Sequence, residues 1–125
     1  MKHIEVSGDK EIIANLKKLS NKLQGEALGE AILTGAKVVE GQAKINVREW
    51  DLIDTGNLMN SILAWPVSHK EAEVGVGAEY GIYHEMGTSR GLPARPYLLP
   101  ALKSEAPKVQ RVVAASLKAA IGRAL

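Results

Sequence analysis

The sequence predicts a single α+β domain, in which helices flank a small antiparallel sheet. Apolar residues recur every three or four positions in three stretches, which is the spacing of amphipathic helices. In two shorter stretches they alternate with polar residues, which is the spacing of half-buried strands. The length of 125 residues fits one domain, residues 1–125.

Three helices are predicted, over residues 9–23, 26–47 and 101–124. Each stretch carries a stripe of aliphatic residues that would face a common core. In the third helix we expect the N-cap at Ser104, because Pro107 is tolerated only near the start of a helix.

Glycines interrupt the long second helix at positions 29, 35 and 41. Each glycine costs a helix roughly 1 kcal/mol relative to alanine. The glycines indicate either a frayed or curved helix, or a helix that packs closely on another helix or subunit through small residues. The sequence leaves both interpretations open.

An antiparallel hairpin is predicted over residues 58–78, with strands at 62–67 and 72–78 and one buried face. A short N-terminal strand over residues 3–7 would join the same sheet. Gly- and Pro-rich loops over residues 79–100 then lead to the last helix. The residues that share a face within each strand are Leu63, Trp65 and Val67, and then Ala72, Val74, Val76 and Ala78.

Composition argues against several classes of protein. The chain has no cysteine, which excludes a disulfide framework and a thiolate zinc site. Its net charge of +2 is too small to indicate nucleic-acid binding by itself. No apolar stretch approaches the roughly 20 residues of a membrane span. The N-terminus lacks the apolar run of a secretory signal, so we expect synthesis in the cytoplasm.

The sequence offers little support for cofactor or metal chemistry. It contains no P-loop, dinucleotide fingerprint or nucleophile elbow, so no cofactor is expected. His84 and Glu85 are adjacent, but the other histidines, His3 and His69, lie far away in the sequence. Because a metal site usually needs three or more converging ligands, none is expected here.

The triplet Asp54-Thr55-Gly56 resembles the active-site triplet of retroviral aspartic proteases, which are homodimers that share a proton between two carboxylates. That fold is nearly all β, whereas this sequence predicts three helices. Asp-x-Gly is also ordinary turn chemistry. A turn before the hairpin is therefore the preferred interpretation, and a dimeric aspartic protease is a remote alternative.

The third predicted helix is rich in cations. Lys108, Arg111 and Lys118 form a candidate DNA-facing surface, because Lys and Arg neutralise backbone phosphates. The preferred interpretation is a solvated face, favoured by the interaction of cations with the C-terminal end of the helix. DNA contact is the weaker hypothesis.

Three short elements carry a family resemblance. We name them the Thr-Gly element, the Gly-Thr element and the Arg-Pro element. Their residues are Asp54, Thr55, Gly56 and Leu58; then Tyr80, Tyr83, Glu85, Gly87 and Thr88; and then Ala94, Arg95, Pro96, Tyr97, Leu98 and Pro100. In this order, with the predicted helices and hairpin around them, they resemble the tail-completion or head–tail joining (neck) proteins of long-tailed bacteriophages and prophages, the gp10-like phage proteins.

The resemblance implies a structural virion protein and not an enzyme. It implies a homo-oligomer, with a hexameric ring favoured, at the junction of head and tail. The ring would contact head-closure or connector proteins on one side and tail terminator or tail tube proteins on the other. Another minor tail or capsid-associated protein is the alternative. We also expect Arg95 to pair with Glu85 and hold two loops together; whether the loops act within or between subunits stays open.

Overall fold

A computed structural model describes residues 2–5, 10–49, 55–77, 85–86 and 96–125 of the protein. These parts form helices packed on a small antiparallel sheet, which confirms the predicted α+β class. In chain order the elements are β1 (Lys2–Glu5), α1 (Lys10–Leu16), α2 (Asn21–Arg48), α3 (Thr55–Ser61), β2 (Ile62–Ser68), β3 (Glu71–Val76) and α4 (Leu98–Ala124).

The sheet has three strands in the order β1-β3-β2, and both pairings are antiparallel. The N-terminal strand therefore joins the hairpin, as predicted. Ala72 and Val74 of β3 are buried. On the same face of β2, Ile62 is fully buried, Ala64 is half-buried and Pro66 is exposed. The apolar residues on the other face of β2 are more open to solvent, with Leu63 54% exposed and Trp65 half-buried.

Helix α2 begins at Asn21, five residues before its predicted start at residue 26, and α1 ends earlier than the predicted first helix over residues 9–23. The chain leaves α1 after Leu16, and Ser20 is the N-cap of α2, where its hydroxyl accepts a hydrogen bond from the Leu23 N–H at 3.3 Å. Serine is among the preferred N-cap residues because it satisfies an amide that has no partner within the helix. The predicted boundary was wrong because this cap interrupts a continuous apolar periodicity.

Two further boundaries differ from prediction. The hairpin was predicted to start at residue 58, after a turn, but α3 runs from Thr55 to Ser61 and its Leu58 is buried in the core. Helix α4 begins at Leu98 and Ser104 lies inside it, so Ser104 is not the N-cap. Pro107 is likewise inside the helix. The start of α4 depends on a distant residue that helical periodicity does not reveal.

Helix α2 packs against both α4 and the sheet, and supplies the centre of the core. Gly35 lies where α2 meets α4: a Cβ atom at this position would be 2.7 Å from Val113 Cγ2 and 3.1 Å from Val109 Cγ1. At Gly41, no side-chain or backbone atom of a neighbouring described residue lies within 4 Å of such a Cβ. Close packing of α2 on α4 therefore explains why residue 35 is glycine, whereas no packing contact among the described residues requires glycine at position 41.

These two glycines give opposite expected results. Gly35→Ala should lower the free energy of unfolding by about 1 kcal/mol, because crowding of two stiff valines outweighs the gain in helix propensity. Gly41→Ala should raise it by about 0.5–1 kcal/mol, since alanine is the better helix former and meets no neighbour. Urea unfolding of both variants measures the difference. Equal effects would contradict the close approach at Gly35.

Within the described ranges, neither long helix carries an apolar stretch sufficient to cross a bilayer.

Candidate functional site

The carboxylate of Glu85 lies at the N-terminus of α4 and accepts three backbone hydrogen bonds. The N–H groups of Tyr97 and Leu98 donate to Glu85 Oε1 at 2.9 and 2.6 Å, and that of Leu99 donates to Oε2 at 3.3 Å. The first amides of a helix have no partner within it, and a negative charge there also complements the helix dipole. Glu85 therefore caps α4 from another segment of the chain.

This cap replaces the usual local one. The N-cap residue of α4 is Tyr97, whose side chain makes no capping hydrogen bond. Tyrosine has no short side-chain oxygen that can turn back to the following amides, unlike serine or aspartate. A carboxylate twelve positions earlier in the sequence supplies the acceptor instead. The Gly-Thr element and the Arg-Pro element are thus joined directly, within one chain, by Glu85 and the start of α4.

A second polar connection ties the same point to α2. The Asn46 side-chain amide donates to the Tyr97 carbonyl at 3.1 Å, and Gln42 donates to Asn46 Oδ1 at 2.9 Å. The Tyr97 backbone is therefore held on both sides, by Glu85 at its N–H and by Asn46 at its carbonyl. We call these four residues the clamp. Sequence reasoning missed Asn46 and Gln42; their only signal was a pair of amide side chains one turn apart near the end of a core helix.

Tyr97 is the largest fully buried side chain among the described residues. Burial, and to a lesser degree the negative charge of Glu85, raise the pKa of its phenol far above the ordinary value of about 10. The folded state therefore strongly favours the neutral phenol. Leu98, the next residue, is also buried, whereas Pro96 and Pro100 are exposed. The Arg-Pro element thus anchors its chain in the core through Tyr97 and Leu98.

The raised pKa of Tyr97 predicts a loss of stability in alkali. A pKa that is higher in the folded than in the unfolded state adds stability that is complete below about pH 10 and is lost as the pH rises above it. We expect Tyr97→Phe to reduce this alkaline loss, because phenylalanine has no proton to release. Free energies of unfolding measured from pH 8 to pH 11 test this. Parallel curves for the two proteins would contradict it.

Several predicted site residues lie outside the part of the chain that the structure describes. The expected ion pair between Glu85 and Arg95 stays a prediction, because Arg95 is one of these residues. The residues concerned are Asp54, Tyr80, Tyr83, Gly87, Thr88, Ala94 and Arg95. In the Thr-Gly element, Thr55 and Gly56 are the first residues of α3, and Leu58 is buried on the core side.

The cations of α4 are exposed, as predicted for either a solvated or a ligand-binding surface. Lys108, Arg111 and Lys118 all lie on the side of α4 turned away from the core. Farther along the helix, Arg123 lies 3.8 Å from Glu30, and both side chains are largely exposed. Such exposed pairs contribute little stability. No group of three or more potential metal ligands occurs in the part of the chain that the structure describes.

The described site is a helical scaffold with buried aliphatic contacts, in which Glu85 and Asn46 fix the Tyr97 backbone. The comparisons identify the family of the chain. Residues 10–87 match the model of the HK97-gp10-like family, described as a bacteriophage HK97-gp10 tail component. The chain belongs to this family of phage tail components. No curated protein and no solved structure matches the chain at a significant level.

The matched span ends at Gly87, so it includes the Thr-Gly element and all of the Gly-Thr element except Thr88. The Arg-Pro element and α4 follow it. Their connection to the matched region is physical, because Glu85 inside the span caps the helix outside it.

Proposed function

We propose that the protein is a structural component of the phage neck, where it forms a ring that completes the tail or joins it to the head. The ring is hexameric, in keeping with the sixfold or threefold order of such tails. It contacts head-closure or connector proteins on one side and tail terminator or tail tube proteins on the other. The protein resides in the virion and acts by binding and ordering its neighbours.

The observation that carries this proposal is the family match over residues 10–87. The clamp adds physical support. A ring subunit must hold its contact loops in a fixed arrangement, because any freedom left in them is lost on assembly and weakens binding. Glu85 and Asn46 fix the Tyr97 backbone between two long helices, so the segments entering and leaving this point start from a rigid base.

The test is deletion of the gene in a phage or prophage that carries it. If the protein acts at the head–tail junction, the deletion leaves filled heads and separate tails, and added protein restores joined, infectious particles. Immunogold labelling of purified particles should place the protein at the neck. Joined particles in the deletion strain would overturn the junction role.

The alternative is another minor tail or capsid-associated protein, which the family description as a tail component also fits. The same labelling separates the two. Gold along the tail or at its distal end supports the alternative, whereas gold between head and tail supports the junction.

The described fold does not support the aspartic protease alternative. Thr55 and Gly56 of the triplet begin a helix, and the described chain is α+β and predominantly helical, unlike the nearly all-β protease fold. Asp54→Asn should leave complementation unchanged. A loss of particle maturation in this variant would revive proteolysis.

The Arg-Pro element gives a prediction about assembly. We expect Arg95→Ala to reduce complementation or stability more than Arg90→Ala, because Arg95 belongs to the family element and Arg90 does not. Plaque counts after complementation and urea unfolding of each variant measure the two effects. Equal, negligible effects would count against a role for Arg95 in the loops.

A further inference from the structure

Two faces of this protein, one exposed and one partly exposed, carry charged residues of opposite sign. The first, on the outer side of α4, we call the helix face. At about 100° per residue its members lie within roughly a quarter to a third of the helix circumference. They are Lys108, Arg111, Ala115, Lys118 and Ala119, all exposed. The face thus presents three cations and two small residues, with no acidic residue among them.

The second face is the side of the sheet turned away from the core, which we call the sheet face. It carries two half-buried acids of β3, Glu71 and Glu73, beside the apolar side chains of Leu63 and Trp65 on β2. Trp65 lies directly opposite Glu73 across the strand pair. The sheet face thus combines negative charge with an apolar surface that a solvated sheet does not need.

The two faces also complement each other in shape. Ala115 lies between Arg111 and Lys118 along the helix face and is much shorter than either, and Ala119 is a short residue at one edge of the face. Leu63 and Trp65 are large and stand on the sheet face. Helix on sheet is a common packing arrangement, in which apolar contact at the centre is surrounded by charged pairs at the rim.

One copy cannot bring its own two faces together. Gly35 of α2 turns toward α4, whereas Glu40 of α2 reaches β2, where it accepts the Ala64 N–H at 2.7 Å. Five residues apart on a helix, these positions differ by roughly 140° in direction. Helix α4 and the sheet therefore cover different sides of α2, and the outer surface of each is directed away from the other.

We propose that the helix face of one copy docks on the sheet face of the next copy. Such an interface joins two different surfaces, so repetition closes into a ring if the rotation between copies closes. The inference rests on the proposed function, which requires self-assembly, and it assigns the surfaces that perform it. It also gives the cations of α4 a protein partner in place of DNA.

The first test reverses the charge of the helix face with Lys108→Glu, Arg111→Glu and Lys118→Glu together. We expect loss of the oligomer that wild-type protein forms, measured by multi-angle light scattering and native mass spectrometry. The matched control is Lys17→Glu, Lys18→Glu and Lys22→Glu, which makes the same change in net charge at exposed positions elsewhere. The control should retain the oligomer. Circular dichroism melts of both variants verify folding.

The second test reverses the sheet face with Glu71→Lys and Glu73→Lys. Alone, this variant should also lose the oligomer. Mixed with the helix-face variant in equal amounts, it should restore an oligomer in which the two variants alternate. Each junction then pairs two wild-type faces or two reversed faces, so opposite charges meet at every junction. Restoration in the mixture cannot arise from misfolding of either variant.

The outcomes separate this docking from the proposed function. An unchanged oligomer in the helix-face variant, or a wild-type chain that stays monomeric, overturns the docking. So does a helix-face variant that keeps the oligomer but no longer binds duplex DNA in a gel-shift assay, because the cations would then serve DNA. In each of these cases neck labelling can still support the proposed function. Absence of the protein from the neck overturns that function instead.

Discussion

Tyr97→Ala should lower the free energy of unfolding by about 3–5 kcal/mol, the usual range for removing a buried aromatic side chain. The side chain of Tyr97 is completely buried, at 0% exposure. Its removal leaves a cavity next to the point where α4 starts, and the surrounding core can relax only in part. In a small domain this loss is a large fraction of total stability. Urea unfolding followed by circular dichroism measures it as a shift of the midpoint.

Two controls separate the effect of the aromatic ring from that of the hydroxyl group and from a general sensitivity of the protein to loss of an apolar side chain. Tyr97→Phe keeps the ring, so we expect a loss of only about 1 kcal/mol at neutral pH. Leu63→Ala removes an apolar side chain that is largely exposed, and should change stability by about 0.5 kcal/mol or less. A Tyr97→Ala effect as small as that of Leu63→Ala would show that α4 is not anchored through this residue.

The architecture could be predicted from the sequence because the apolar residues of each periodic pattern are the ones that face the core. The aliphatic stripes of α2 and α4 are the residues that the two helices bury, and the alternation in β3 correctly indicates Ala72 and Val74 as its inner face. In β2 the larger apolar residues occupy the outer face. The size and hydrophobicity of the β2 side chains therefore do not indicate which of them are buried. The pairing register with β3 decides this.

The candidate site could be predicted only in part from the sequence. Glu85 and Tyr97 stand out within family-like elements, but their bond is between a side chain and a backbone amide twelve positions away. Asn46 is 51 positions from Tyr97. No local spacing encodes such contacts, because a capping signature relies on a side chain within the first helical turn. The start of α4 was placed too late for the same reason.

This dependence makes the clamp a link between chain segments that are far apart in sequence. Helix α4 starts where Glu85 and Asn46 hold it, and α4 supplies both core packing against Gly35 and the exposed cations of the helix face. A change at Glu85 therefore affects the outer surface of α4 through the position of the helix, without touching that surface.

Glu85→Ala should lower the free energy of unfolding by about 2–4 kcal/mol. Hydrogen bonds to a charged group contribute about 1.5–3 kcal/mol each but are not additive, and loss of a helix cap alone costs about 0.5–2 kcal/mol. The variant leaves the amides of Tyr97 and Leu98 without their acceptor at buried residues. Urea unfolding gives the stability, and amide hydrogen exchange at Leu98 and Leu99 should become faster than exchange in the middle of α4.

Two variants test whether the acceptor or merely the side chain matters. Glu85→Gln retains one acceptor oxygen without the charge, so its loss should fall between wild type and alanine. Glu105→Ala removes a half-buried glutamate within α4 itself and should have an effect of about 0.5 kcal/mol or less. If Glu85→Ala matched Glu105→Ala, and exchange at Leu98 were unchanged, the helix start would have to be held by α2 through Asn46 alone. In that case the Gly-Thr element would not stabilise the start of α4, and its role would lie in contacts with other subunits or proteins.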